Sequence, residues 1–424
     1  MNFRIFVLIC LFFPITLLAQ KKQKPRLLVY GSDITAFSAA LQAAKSNVPT
    51  VWVINEVEML PEFRKGALKV NNNEHLDSGI WMELLMKMAI SNKPSDSLAY
   101  IVKKDFNNQL ALNAVEKLLS DYPALRIVKN QQAIKVSRNK RNWEVQLSNK
   151  EQYVVHALID ASSDADLTKQ ISWKEKTNPS VSFSKPDELT LALSRTTLGL
   201  AELESDLRMI LLKDILSFEQ DNLFDLGLLR KVGKNEGSLA FQSAYGQVLG
   251  ATAGYVAFFK TDSKQIDVRK LQAELMTYKM RMMPYQDVMI SNPHYASIQK
   301  LYLTGFFLGE SKDGKYILGI DDQVSFADIK PVMNEMYTRS QLWFLDNYRE
   351  GEVQWKELLS LIKFIFFKGD EVEKQISKDW STKRKFNGEF NPDLPVSKVQ
   401  FAVMTDLYSD SFAKGVTEEG KFKK

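Results

Sequence analysis

The order of apolar and polar residues near the start of the chain predicts a β-α-β unit. Residues 27–30 form an apolar run that ends at Gly31, which is typical of a buried strand. Residues 34–45 are rich in alanine and bring apolar side chains to one face at helical spacing. Residues 50–54 are β-branched and aromatic, as in a second strand. A right-handed crossover between parallel strands would place the start of the helix at the carboxyl edge of the sheet.

The rest of the chain alternates between helical and strand-like patterns. Helical periodicity is present at 78–89 and 105–119 and, in a more polar form, over 187–216. Strand-like runs occupy residues 125–128, 133–136, 143–147 and 153–159. Further helices are expected at 239–259, after Asp267, and at 295–303, 329–347 and 355–367. This alternation favours the α/β class with a mostly helical C-terminal part.

The C-terminal part contains a weak internal repeat at an offset of 72 residues. The matching positions are Asp321, Val324 and Ser325 in one copy and Asp393, Val396 and Ser397 in the other. A helical pattern follows each copy. The apolar side of residues 358–367 is expected to pack on the core, and a partner-binding face is the alternative.

The first nineteen residues have the composition of a secretory signal peptide. Arg4 supplies the positive charge, residues 5–18 are largely apolar, and Ala19-Gln20 offers a cleavage point. A bilayer span needs about 20 apolar residues, and Pro14 interrupts this shorter run, so a retained anchor is the less favoured alternative. The segment predicts an exported protein, periplasmic or associated with the cell envelope, without an integral membrane span after cleavage.

The composition limits the kinds of catalytic site, metal site and partner that the chain can have. The single cysteine lies in the signal segment, and the chain has three histidines, none close to another in sequence. Cys/His zinc sites and cysteine nucleophiles are therefore excluded, and no metal site is predicted. The 56 Lys and Arg residues against 51 Asp and Glu give a net charge of +5, too balanced to indicate a nucleic-acid partner. The 19 glycines are fewer than the roughly 30 of an average chain of this length.

The loop after the first strand has the position of a dinucleotide-binding turn. In such turns the first glycine makes the bend, the second lets the backbone approach the pyrophosphate, and the third lets helix and strand pack closely. Here the loop reads Gly31-Ser32-Asp33, and Ala36 stands at the third position. Asp33 brings a carboxylate to where a pyrophosphate would lie. It is also a good N-cap residue, so its oxygens are expected to accept the helix N–H groups that a phosphate would use.

The acid that binds the ribose hydroxyls in such sites lies about 20 residues beyond the turn. In this chain Asn55 or Glu56, at the end of the second strand, would have to take that role. From these residues alone two interpretations stay open, namely a bound dinucleotide and a purely structural β-α-β unit.

Segments in a conserved order along the chain resemble the FAD-dependent oxidoreductase family of flavoproteins with a glutathione-reductase-like fold. Residues 31–40 (GSDITAFSAA) are similar to the family's first loop and helix, GGTPAGIAAA. Residues 159–167 (IDASSDADL) are similar to IDATGDGDL, and residues 246–258 (GQVLGATAGYVAF) to GQAAGTAAALAV. Residues 286–325 and 390–407 resemble surface-layer-homology-type modules, which follow the oxidoreductase core in some relatives.

The resemblance implies FAD as the cofactor, bound by two groups of residues. The first is the turn and strand end already described. The second consists of Asp160, Ala161, Ser162, Ser163, Gly246 and Gly250. For residues 160–163 a plain strand-to-helix turn is the alternative, and for the two glycines close packing against the sheet is the alternative. The resemblance assigns no catalytic residue.

The departures from the family pattern concern glycines and arginines. The glycine pair after the second strand is replaced by Pro61-Glu62, and both glycines of TGDG by Ser163 and Ala165. The arginines of the AGR and G-S-x-R motifs are replaced by Leu228 and Ala240. These changes remove backbone approach to a cofactor and cationic partners for it, so the resemblance implies a degenerate cofactor site.

The expected architecture is a Rossmann-like FAD/NAD(P)-binding domain over residues 26–280 with a small additional β element. Its substrate region, about 170–221, is short, and a mostly helical region over 283–412 follows. The function implied is an exported FAD-dependent oxidoreductase acting on an unidentified organic small molecule. The alternative is a non-catalytic envelope protein that keeps the scaffold and binds a glycan or protein partner.

Overall fold

The computed structural model describes residues 24–66, 68, 70–171, 182–216, 221–232 and 239–423. The predicted signal segment and the Gly237-Ser238 pair of the G-S-x-R position lie outside these residues. The strands are β1 (Leu27–Tyr30), β2 (Thr50–Ile54), β3 (Arg126–Lys129), β4 (Ala133–Asn139), β5 (Asn142–Leu147), β6 (Gln152–Val155), β7 (Ala157–Asp160), β8 (Thr197–Leu203), β9 (Asp206–Leu211), β10 (Leu223–Asp225), β11 (Glu310–Lys312) and β12 (Lys315–Ile317).

Nine helices are described in the N-terminal two thirds of the chain. They are α1 (Ile34–Lys45), α2 (Gly79–Met88), α3 (Asp96–Lys104), α4 (Asn108–Ser120), α5 (Leu191–Ser194), α6 (Leu212–Ile215), α7 (Gly227–Val232), α8 (Leu239–Phe259) and α9 (Val268–Thr277). The C-terminal helices are α10 (Tyr295–Thr304), α11 (Phe326–Met336), α12 (Thr338–Asn347), α13 (Trp355–Phe366), α14 (Glu371–Asp379) and α15 (Lys398–Tyr408).

A five-stranded parallel sheet in the order β10-β7-β1-β2-β3 forms the centre. All its strands except the edge strand β3 are fully buried, and β1 and β2 read as continuous apolar runs. One face packs against α1 and α8, and the other against the three-stranded antiparallel sheet β4-β5-β6 that connects β3 to β7. The fold prediction is confirmed: the protein is α/β with a Rossmann-like parallel sheet, a small extra β element and a helical C-terminal region.

Two details of the predicted elements differ from the structure. The run at 153–159 is divided at His156 into β6, in the small sheet, and β7, in the parallel sheet. The mostly helical prediction over 187–216 is wrong, because half of this segment, residues 197–211, is the antiparallel hairpin β8-β9, and only the short helices α5 and α6 flank it. Glu204 and Ser205 turn this hairpin with φ of 52° and 70°, and the residues of β8 are buried largely against α8, so tertiary packing overrides local helical spacing.

In the C-terminal region three equivalent valines are joined in a ring of backbone hydrogen bonds. Val353 donates its backbone N–H to Val324 at 2.8 Å, Val324 to Val396 at 2.9 Å, and Val396 to Val353 at 2.9 Å. Each valine is almost fully buried and is followed by a helix, α11, α13 or α15, whose first turn carries a capping box. The predicted repeat is therefore present with a third copy between the two that the sequence showed. Its resemblance to surface-layer-homology modules stays a prediction.

A buried arginine joins this region to the rest of the molecule. Arg195 follows α5 and has no solvent exposure. Its guanidinium binds both carboxylate oxygens of Glu335 in α11, at 2.8 and 2.6 Å, and donates to the carbonyls of Thr304 and Gly420. It also stacks on the Phe422 ring at 4.0 Å. The two parts of the chain are thereby fixed to each other by charge-assisted hydrogen bonds.

No helix in the described residues is both long and apolar enough to cross a membrane. The uncharged α8 packs against α1, α2, β8 and α9 within the protein.

Candidate functional site

The candidate site lies where the direction of strand connection reverses. From β1 the chain proceeds through α1 to β2 on one side, whereas β7 pairs with β1 on the other side. In open α/β sheets ligands bind at the carboxyl edge of such a reversal. Gly31 and Ala161 meet there, and Gly31 has a φ of +146°. A Cβ at Gly31 would lie 2.8 Å from the Ala161 carbonyl oxygen, so only glycine fits this position.

The N-terminus of α1 is occupied by carboxylates of the chain itself. Asp33 is the N-cap, as predicted, and its Oδ1 accepts the N–H groups of Thr35 and Ala36, both at 3.1 Å. Ile34 donates its N–H to Glu62 Oε1 at 2.6 Å. The N–H groups of the first three helical residues, which have no partner within the helix, are therefore all bound by two acidic side chains.

Glu62 is a site residue that the sequence analysis did not single out for this role. It lies in a 3₁₀ turn, Pro61–Arg64, in the loop after β2. Leu60, just before that turn, donates its N–H to the Ser32 carbonyl at 2.7 Å, which fixes the loop against the β1-α1 turn. A signal was available, because Pro61-Glu62 replaces a glycine pair, but no feature of the sequence indicated where the carboxylate would point.

The residues assigned to ribose binding are linked to the same turn. Ser32 Oγ donates to Asn55 Oδ1 at 2.7 Å and accepts the N–H of Glu56 at 3.0 Å. Asn55 Nδ2 in turn donates to Asp166 at 3.2 Å. Hydrogen bonds among Ser32, Asn55 and Glu56 thus tie the end of β2 to the turn, and the role of these residues in binding ribose stays a prediction.

Asp160 organises the loop after β7. Its side chain is fully buried, and its Oδ1 accepts the N–H and hydroxyl of Ser162 at 3.2 and 2.6 Å. Its Oδ2 accepts the N–H groups of Leu167 and Thr168 and the Thr168 hydroxyl, at 3.0, 2.9 and 3.1 Å. Five donors on one buried carboxylate support the strand-to-helix-turn alternative for residues 160–163.

Arg230 holds the same loop from the other side. It donates to the carbonyls of Ser162 and Ser163, at 3.1 and 3.2 Å, and to Asp225 Oδ2 at 2.7 Å. Because Asp225 ends β10, this arginine connects the carboxyl ends of β7 and β10. Sequence reasoning missed Arg230, since it matches no motif position.

The electrostatic character of this edge is acidic. Burial, reinforced by the neighbouring Asp160, raises the pKa of the Asp166 carboxyl. Burial also raises the pKa of Asp225, against the opposing effect of Arg230. Burial therefore disfavours the charged form of both carboxyls.

Gly246 and Gly250 serve the contact between α8 and α1. A Cβ at Gly246 would lie 2.2 Å from the Thr35 carbonyl oxygen, and one at Gly250 would lie 2.3 Å from that of Ala39. Both glycines therefore face the α1 backbone. Close packing was the alternative to cofactor contact at these positions. The element they pack against is the helix α1 and not the sheet.

A separate polar group surrounds His75. Its Nε2 lies 3.5 Å from Glu202, in β8, and its Nδ1 lies 3.2 Å from the Gln286 amide nitrogen. Asn73 also donates to Glu202. Within the described residues, no group of histidine, cysteine, aspartate and glutamate side chains is arranged to hold a metal ion.

One protein-family model matches the N-terminal part of the chain. Residues 27–172 match the FAD dependent oxidoreductase family model. The match spans β1 to β7 and therefore contains the turn, Glu62, Asn55 and the loop after β7. It covers about a third of the 424 residues. No curated protein matches the chain.

Solved structures with similarity to this chain include several enzymes. The tetracycline destructase Tet(51) is 14% identical over 36% of this chain and 44% of its own, with a TM-score of 0.25. The bacillithiol disulfide reductase Bdr (YpdA) of Staphylococcus aureus is 13% identical over 38% and 42%, with a TM-score of 0.24. Thioredoxin reductase of Lactococcus lactis is 14% identical over 33% and 35%, with a TM-score of 0.20. The chain spans less than half the length of these structures.

The residues at the turn do not fit the pyrophosphate of FAD. A pyrophosphate bound at the start of α1 would accept the N–H groups of Ile34, Thr35 and Ala36, which here donate to Asp33 and Glu62. It would also bring its negative charge beside those two carboxylates. Carboxylates of the chain itself thus accept the N–H groups that a bound phosphate would otherwise accept.

Proposed function

We propose that this chain is a non-catalytic protein of the cell envelope, built on a FAD-oxidoreductase scaffold whose nucleotide-binding turn has become a structural cap. The observation that carries the proposal is the pair of carboxylates, Asp33 and Glu62, bound to the three N–H groups at the start of α1. The buried Asp160 and the arginine-held loop beside it serve local structure in the same way.

The C-terminal region would then carry the binding function, with a glycan or protein of the envelope as partner. Its ring of three valines makes it one closed unit. Arg195 fixes that unit to the α/β part through Glu335. A rigid scaffold that presents a repeat-built module is suited to binding, since a preorganised surface loses little entropy on association.

The second candidate is an exported FAD-dependent oxidoreductase with an unidentified organic substrate. Two observations favour it, namely the family match over residues 27–172 and the glycine that is kept at Gly31 with a φ of +146°. Under this proposal the loop that carries Glu62 would have to move away from α1 before the cofactor bound.

Flavin content separates the two candidates. The chain purified from an exporting host is expected to show no visible flavin absorbance, and added FAD is expected to leave its melting temperature unchanged, because the helix N-terminus has no N–H group to offer. The control is a flavoprotein of known FAD content, purified and treated in parallel. Stoichiometric flavin, or a rise in melting temperature with FAD, would replace the non-catalytic proposal with the oxidoreductase.

A further inference from the structure

A groove of about 340 Å³ lies at the opposite end of α1 from the candidate site. Ser46 and Val48, which follow α1, form one wall. The last turns of α8 form the second wall, and α9 forms the third. Because β1 and β2 begin at this end of the molecule, the groove is on the amino side of the parallel sheet.

Small side chains line the groove where α8 and α9 face each other. Ala251 and Gly254 belong to α8, and Ala273 belongs to α9. A Cβ at Gly254 would have its nearest neighbour at 3.6 Å, and Ala273 is exposed to solvent. The groove is therefore a recess in the surface that an apolar side chain from outside can enter.

Three aromatic rings at the end of α8 form the rim of this recess. Tyr255 and Phe259 have ring centroids 4.7 Å apart, and Phe258 and Phe259 have centroids 5.1 Å apart. Phe258 is 49% exposed and Phe259 is 53% exposed. Adjacent exposed apolar rings beside an open recess are typical of an interaction site.

The charged side chains around the recess are balanced. Two lysines that follow α8 in sequence form ion pairs, Lys264 with Asp221 at 3.6 Å and Lys270 with Asp267 at 3.8 Å. Lys260 is exposed directly after Phe259, and Glu274 lines the groove. These last two residues have opposite charges, so the described face has no large excess of either sign.

We propose that this face is the contact between two copies of the chain. The recess and the Phe258–Phe259 rim lie side by side, so a two-fold axis next to them places the rim of each copy against the recess of the other. The balanced charge suits such a contact, because identical surfaces that carry a net charge repel each other. The proposal does not depend on whether FAD binds at the other end of α1.

The exposed area of the rings is enough for the centre of a dimer interface. A phenylalanine side chain buries about 150–250 Å², and both rings are about half exposed. The four rings of two copies would therefore bury roughly 300–500 Å², against about 1,200–2,000 Å² for a stable interface. The walls of the two recesses supply the surrounding contact, and the rings are its strongest part.

The test is sedimentation equilibrium of the full chain purified from an exporting host. The average mass is expected to rise from that of one chain towards that of two between about 1 and 100 μM. The double variant Phe258→Ser/Phe259→Ser is expected to dimerise at least about tenfold more weakly. Because both rings are half exposed, its melting temperature at low concentration should match that of the wild type.

A second variant tests the recess without altering the rings. Ala273→Gln places a long polar side chain in the recess at an exposed helical position, where glutamine is nearly as favourable as alanine. We expect this variant also to dimerise about tenfold more weakly, because the rings of the other copy can no longer enter.

A matched control removes two exposed apolar side chains elsewhere. Leu342 and Leu345 of α12 are 56% and 80% exposed, and Leu342→Ser/Leu345→Ser is expected to leave the dimerisation constant unchanged. A single-chain mass at every concentration would overturn the proposal, and binding of that monomer to phosphatidylglycerol vesicles would assign the rim to a membrane surface instead. A dimer that both the phenylalanine variant and Ala273→Gln retain at full strength would also overturn it.

Discussion

Replacing Gly246 with alanine is expected to lower the free energy of unfolding by about 2–3 kcal/mol. The added Cβ would lie 2.2 Å from the Thr35 carbonyl oxygen, a backbone atom of α1 that cannot rotate away. Relief would require α8 and α1 to separate, although they form the most extensive helix contact of the molecule's core. Urea denaturation of the two proteins measures the difference.

Gly254 offers a control on the same helix. A Cβ there would lie 3.6 Å from Val48 Cγ2, an ordinary van der Waals distance. Gly254→Ala should therefore raise the free energy of unfolding by about 0.5–1 kcal/mol, because alanine loses less backbone entropy in a helix than glycine. If both substitutions proved neutral, the close packing of α8 on α1 would not be the reason for Gly246.

The second large effect is expected at the junction between the two parts of the chain. Arg195→Met should lower the free energy of unfolding by about 3 kcal/mol, because it removes a fully buried guanidinium that binds Glu335 and two carbonyl groups. Methionine keeps much of the side-chain volume, so the loss reports mainly on the polar contacts. Urea denaturation followed by tryptophan fluorescence would measure it.

Arg349 provides the matched comparison for that variant. It also binds a glutamate through two oxygens, those of Glu357 at 2.8 and 3.0 Å, but on the surface. Arg349→Met should change stability little, since solvent screens exposed ion pairs. Equal effects of the two methionine variants would contradict the role given to Arg195 as the link between the two parts of the chain.

Much of the fold was predictable because its signals are local. The strand at 27–30, the alanine-rich helix and the strand at 50–54 appear in the structure with the predicted bounds. The hairpin over 197–211 was not predictable from spacing, because β8 is buried in contact with α8 and so lacks alternation. Burial of this kind depends on tertiary structure.

The candidate site was predictable at Asp33 and not at Glu62. An aspartate at the start of a helix is recognised as a cap from its neighbours in sequence. Glu62 reaches Ile34 from 28 residues away, and Arg230 reaches Ser162 from 68 residues away. Such contacts follow from how the loops fold over the sheet edge, which no motif in this chain encodes.

Two of the three copies of the C-terminal repeat were predicted from the sequence, and the copy at Val353 was not. Val324 and Val396 share a valine–serine pair, whereas Val353 is followed by Gln354. The three copies are also unevenly spaced in sequence, so no single offset aligns them. The ring of hydrogen bonds between the valines makes the equivalence evident only in three dimensions.

The most direct test of the central claim is a calorimetric titration of FAD into the full chain and into the variant Asp33→Gly/Glu62→Gly. That variant frees the N–H groups of Ile34, Thr35 and Ala36, at a cost of a few tenths of a kcal/mol from the lost cap. We expect no heat of binding for the wild type up to about 100 μM FAD, and roughly tenfold tighter binding by the variant. Micromolar binding by the wild type, unimproved in the variant, would contradict the proposal that the turn is a structural cap.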